Sequence, residues 1–179
     1  NPAYSSYAKI APHVDVFTCH PYQEGIPEEA FLVDLVRNTT GGIGGVIPSA
    51  AYCVDPTSYR RELYVGMVHG KRFMCTLGNA SEIAREKGDP GYEEVQNEVF
   101  QKIAKCERYL VNTKSAPVAA IVYSEREIDI FQNGKEYFDN LAGIYRILSQ
   151  NHIQSEPIIL ETLTAEKLSR YKVLVINNS

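Results

Sequence analysis

Apolar and polar positions come in alternating blocks along this chain, most clearly in its last third, Ala116 to Asn178. An apolar run, APVAAIVYSE, gives way to an amphipathic one, YFDNLAGIYRILSQNHI. A short apolar run, EPIILE, follows, then TAEKLSRY with its polar face, then YKVLVINN. Short apolar runs separated by segments of helical period predict parallel strands with helical crossovers. Parallel sheets normally have helices on both faces and more than three strands. The third of these runs reaches Ser179, so the expectation is a domain only begun, in a piece of a larger protein.

Earlier blocks repeat the theme. His13 to Tyr22, HVDVFTCHPY, reads as a strand and its loop. Pro27-Glu28-Glu29 opens a helix, with proline tolerated in the first turn and acids at the positive end. Ala30, Phe31, Val33, Leu35 and Val36 supply its apolar side, and Asn38 to Gly42 stop it. Ile43 to Val54 is a second strand and loop. Asp55 to Ser58 offer caps for a helix from Tyr59 to His69. Arg72 to Leu77 is a third strand, with Gly78 to Ser81 as its loop and a polar stretch beyond. Asp89-Pro90-Gly91 then leads into a long helix, Tyr92 to Leu110, with Val95, Val99, Phe100, Ile103 and Ala104 at helical spacing. A polar connector near Val111 to Ser115 separates the two alternations. This divides the chain into residues 1–111 and 116–179.

Composition narrows the functional classes. A hydrophobic content of 44% suits a globular protein rather than a disordered one. A net charge of -4, with Lys and Arg scattered, gives no reason to expect nucleic acid or an anionic membrane as partner. No apolar run approaches the roughly 20 residues needed to span a bilayer. Cys19, Cys53, Cys75 and Cys106 are too far apart for a CxxC motif, and Cys19, Cys53 and Cys75 read as buried thiols in apolar runs. His13, His69 and His152 stand apart from other ligand-type residues, so neither a metal nor a cofactor is expected. The Gly41 to Gly45 cluster precedes its strand, whereas phosphate-binding glycine motifs follow one. Helix termination and close packing explain it better.

Four stretches carry a resemblance to a known family. VDVFTCHPYQ looks like a late barrel strand, and RRELYVGMVHGKRFMCTLGN like a helix and the last barrel strand. YEEVQNEVFQKIAKCERYLVN looks like the closing barrel helix. PVAAIVYSE, with the runs after it, is similar to the opening of a trimerisation domain. Together they resemble beta-galactosidases that carry such a domain after a (β/α)8 barrel, and hypothetical glycosyl hydrolases related to them. The resemblance implies an α/β fold in two parts. The first is the C-terminal βα units of a TIM-type barrel. The second is the first βαβ units of a Rossmann-like, glutamine-amidotransferase-like domain. It further implies a carbohydrate substrate and a homotrimer in the full-length protein.

Barrel active sites lie at the C-terminal ends of the strands. The first strand end offers His20, Tyr22 and Glu24, the second Ser49, Tyr52 and Asp55, the third Asn79, Ser81 and Glu82. Glycoside hydrolysis usually needs two carboxyl groups. The resemblance puts the acid on a strand before this chain and the nucleophile on a late strand, where His20 stands instead of Glu. The nucleophile then lies upstream, or Glu24 fills the role from its loop, or the chain is not catalytic. Glu24 as a surface acid is the plainer reading. His20 can bond a sugar hydroxyl or serve as a hydrogen-bonded strand-end residue. Tyr22 and Tyr52 suit stacking on a sugar ring or ordinary packing, and Asn79 is a hydroxyl partner or a turn residue. Ser124-Glu125 follows a strand where a Rossmann-like fold binds ligands, but no glycine-rich turn accompanies it. Two alternatives stand beside the enzyme reading. One is a non-catalytic carbohydrate-binding or assembly module of the same fold, and the other is an independent α/β domain of another class.

Overall fold

The computed structural model describes residues 6–19, 26–39, 44–46, 48, 50–69, 73–74, 79–110, 113–130 and 134–177. In chain order the elements are α1 (Tyr7–Ile10), a 3-10 turn (Ala11–His13), β1 (Phe17–Cys19), α2 (Ile26–Thr39), β2 (Gly44–Val46) and α3 (Pro56–Val68). Then come β3 (Phe73–Met74), α4 (Ala80–Lys87), α5 (Gly91–Leu110), β4 (Ala119–Tyr123), α6 (Glu125–Ile130) and α7 (Gly134–Gln150). The chain closes with β5 (Ser155–Ile159), a 3-10 turn (Leu160–Thr162), α8 (Ala165–Leu168) and β6 (Val173–Ile176). The protein is mixed α/β, and all its described strand pairs are parallel.

The strands form two three-stranded sheets. The first runs β1-β2-β3, in sequence order, with Phe17 opposite Gly44 and Val46 opposite Met74. The second runs β5-β4-β6, so its first strand is central. All five residues of β4 are buried, as expected of a strand covered on both faces. Ile121 and Tyr123 face one core with Leu141, Ala142 and Tyr145 of α7, and Ala120 and Val122 face another with Leu163, Leu168 and Tyr171. Alternation along the strand produces this division.

Helix ends follow their caps. Asp55 accepts from Ser58 N at 2.6 Å with Pro56 in the first turn, so α3 starts one turn before the predicted Tyr59. The predicted polar stretch after Ser81 is instead α4. Asn79 caps its start, and Gly88, at φ 67°, ends it in the left-handed region. Its Ile83 and Ala84 pack with Tyr59, Leu63, Tyr92, Val95 and Val99 in a core built from α3, α4 and α5. β1 is shorter than the apolar run that announced it, because Ala11–His13 form the 3-10 turn and residues 14–16 stay outside the strand; of the third predicted strand, Phe73–Met74 are described.

One helix touches both sheets. α2 packs on β1 and β2 on one side and on β5 and α7 on the other. Hence Phe31, Val33, Leu35 and Val36 are all at most 1% exposed, a burial wider than one apolar stripe would give. Phe31 meets Phe138 and Tyr145 edge-on, with ring centroids 5.4 and 5.8 Å apart. A second tie links the N-terminal segment to α6: Ser6 Oγ and Ala8 N both donate to the Glu125 carboxylate, the latter at 3.0 Å.

Candidate functional site

The strand ends of the first sheet were the expected site. His20, Tyr22, Glu24 and Ser49 lie outside the described residues. Tyr52 is in the turn after β2, half exposed. Asn79 and Asp55 are also exposed, but each spends a carbonyl or carboxylate oxygen on a helix start: Asn79 Oδ1 accepts from Ser81 N at 3.0 Å, and Asp55 accepts from Ser58. Those bonds hold the Asp55 carboxyl below its ordinary range.

Behind the turn that carries Tyr52, the structure brings together groups that the sequence did not join. Glu29 of the first turn of α2 is 3% exposed and Glu62 of α3 is 2% exposed, with the buried free thiol of Cys53 beside them. Burial raises the Glu29 carboxyl to about 7, helped by the Glu62 charge and opposed by Arg61. Glu29 Oε1 has no hydrogen-bond partner. Burial, reinforced by Glu62, also pushes the Cys53 thiol well up, which rules it out as a ready nucleophile. Lys87 closes the turn: its Nζ donates to Cys53 O at 2.5 Å and Ala50 O at 3.3 Å, over the ring of Tyr92, whose hydroxyl also donates to Cys53 O. This cluster can hold a proton near neutrality, but its carboxyls are walled in.

A second polar cluster sits where α2 meets β5. Arg37 Nη1 is 3.0 Å from Asp34 and donates to His69 O at 2.6 Å, while Nη2 stands 3.5 Å from Glu156 Oε2. Asp34 also accepts from Tyr145 Oη at 2.7 Å and lies 3.1 Å from His69 Nδ1. Glu156, 1% exposed, accepts from Tyr171 Oη at 2.6 Å and faces Arg170 at 3.6 Å. Burial raises both phenols, and the adjacent carboxylates add to it, so they remain donors. Cavities of about 560 and 630 Å³ flank Arg37 beneath residues 113–115.

At the end of β4, Ser124 caps α6 by accepting from Glu127 N at 3.3 Å and donates to Glu161, which also accepts from Arg126 N. Ser124 N donates to Tyr137 Oη. Strand-end polar groups here are thus bonded to each other. Among the described residues no group of three His, Cys, Asp or Glu is placed to hold a metal, and no helix is long and apolar enough to cross a membrane.

Comparison with family models, curated proteins and solved structures returns no match for this chain.

Proposed function

We propose that residues 1–111 are the last βα units of a (β/α)8 barrel and residues 116–179 the opening of a Rossmann-like, glutamine-amidotransferase-like domain. On this reading the intact protein is a glycoside hydrolase. The observation that carries the reading is the contrast in strand order. Strands added side by side in sequence order, each crossing over through a helix, are how a barrel winds, and β1-β2-β3 follows that rule. The order β5-β4-β6 places the first strand in the middle, as at the start of a doubly wound sheet. The long helix α5 stands between the two, as a closing barrel helix would.

The substrate is a carbohydrate, cleaved by paired carboxyl groups. Most of that pair lies outside this chain, and Glu24 is the candidate within it. His20, Tyr22, Tyr52 and Asn79 are the candidate sugar contacts, and the full-length protein is a homotrimer. The capping roles of Asn79 and Asp55 favour a second reading, a carbohydrate-binding or assembly module without turnover. A panel of nitrophenyl glycosides offered to the intact protein separates the two. Release of nitrophenol is expected, and Glu24→Gln should lower it about 10²–10⁴-fold if Glu24 carries acid-base work. Sugar binding by calorimetry with no release on any glycoside would leave the binding module standing and remove the enzyme.

A further inference from the structure

We propose that the cavity between the end of α2, the connector and α8 binds a small oxyanion of the phosphate class. This site does not depend on the chain being part of a glycosidase. In a chain of net charge -4, the described residues lining this cavity of about 560 Å³ include four cations, Arg37, Lys114, Lys167 and Arg170, and one carboxylate, Glu156. The four come from three segments far apart in sequence, which the fold brings together.

The arrangement differs from a closed ion-pair network. Glu156 is held from below by the Tyr171 hydroxyl at 2.6 Å, while the two guanidiniums reach it only at 3.5 and 3.6 Å, and its Oε2 lacks a hydrogen bond. Arg37 is shared between Asp34 and Glu156, whereas Arg170 meets Glu156 alone, at 3.6 Å and with its side chain 54% exposed, so the Arg170 fork faces the cavity with little to hold it. Planar guanidinium donors match the spacing of phosphate oxygens, and such charge-assisted bonds are about twice as strong as neutral ones. Arg37 is rigidly placed, because Asp34 and the His69 carbonyl fix it from the opposite side. Lys167 on α8 and Arg170 just beyond it are exposed and can close on a ligand; among the described residues Lys167 Nζ bonds the Thr162 carbonyl at 2.9 Å. Ser115 adds a hydroxyl at the rim. The volume accommodates a phosphate together with a small organic group.

Calorimetric titration of the full chain tests this, in a chloride buffer of constant ionic strength. Inorganic phosphate, a hexose 6-phosphate and the free hexose are the three probes. Saturable heat is expected with the phosphates. A tighter hexose phosphate assigns the ester as ligand, equal affinities assign free phosphate, and either outcome supports the site. The double variant Lys167→Ala with Arg170→Ala alters exposed side chains only and should weaken phosphate at least about tenfold. Lys102→Ala, on the exposed side of α5, should change nothing. Phosphate heats no larger than those of added chloride in the wild-type chain, or a folded double variant that binds as tightly as wild type, would overturn the proposal.

Discussion

Glu29→Gln is expected to stabilise the chain by about 3 kcal/mol at about pH 8 and to leave it unchanged near pH 4. The unfolded carboxyl releases its proton near 4.5, the folded one near 7, because burial and the Glu62 charge oppose ionisation. Between those values the native state holds a proton that the unfolded state has lost. The contribution of this group is therefore fully favourable below about 4.5, declines as the pH rises towards 7 and is gone above it. This is opposite in sign to the usual salt-bridged acid. A displacement of that size corresponds to about 3 kcal/mol, and the 3% exposure of Glu29 leaves little water to screen it. Glutamine keeps the shape and removes the charge. Urea unfolding of both proteins across this pH range reads the effect. A wild-type midpoint that does not fall between pH 5 and pH 8 would show that Glu29 is solvated.

The second large effect concerns Arg37. Arg37→Met should destabilise by about 3–5 kcal/mol, the range for removing one partner of a buried pair. Its loss leaves Asp34 and Glu156, with side chains 5% and 1% exposed, facing each other's charge with fewer cations. His69 and the two tyrosine hydroxyls soften the penalty without neutralising both acids. Arg170→Met is the control. That side chain is 54% exposed and 3.6 Å from Glu156, so the change should cost less than about 1 kcal/mol. Denaturant midpoints at constant slope compare the two. Equal, small losses for both variants would mean that water reaches the α2 to β5 contact.

How much of this was legible in the sequence depends on the length scale of the signal. The parallel strands and the long helix α5 were readable because their periodicity persists over many residues. The cap of α3 at Asp55 is readable because capping is local chemistry, although the sequence pattern sets the first turn at Tyr59 rather than Pro56. α4 reads as a polar stretch, although Asn79 and Gly88 bracket it, since only Ala80, Ile83 and Ala84 of its eight residues are buried. The buried acids were missed for another reason. In the sequence Glu29 reads as a partner for the positive end of its helix, yet it shares a helical stripe with Val33 and Val36. Glu62 likewise falls beside Leu63 and one turn from Tyr59 and Gly66, all buried. An acid on an apolar stripe was the available clue. Asp34 and Glu156 give less warning, because one partner of each, Tyr145 for Asp34 and Arg37 for Glu156, lies more than a hundred residues away in the chain.

That distance has a consequence in time. α2 leaves the ribosome about 120 residues before β5, a delay on the order of ten seconds at about 5–20 residues per second. Until α7 emerges Phe31 has neither Phe138 nor Tyr145 to rest against, and until β5 follows Arg37 has no Glu156. Protease cleavage within α2 of stalled nascent chains, abolished once residue 159 has emerged, is the corresponding observation. A helix held by both halves of a protein is the last part of the early half to gain its full set of contacts.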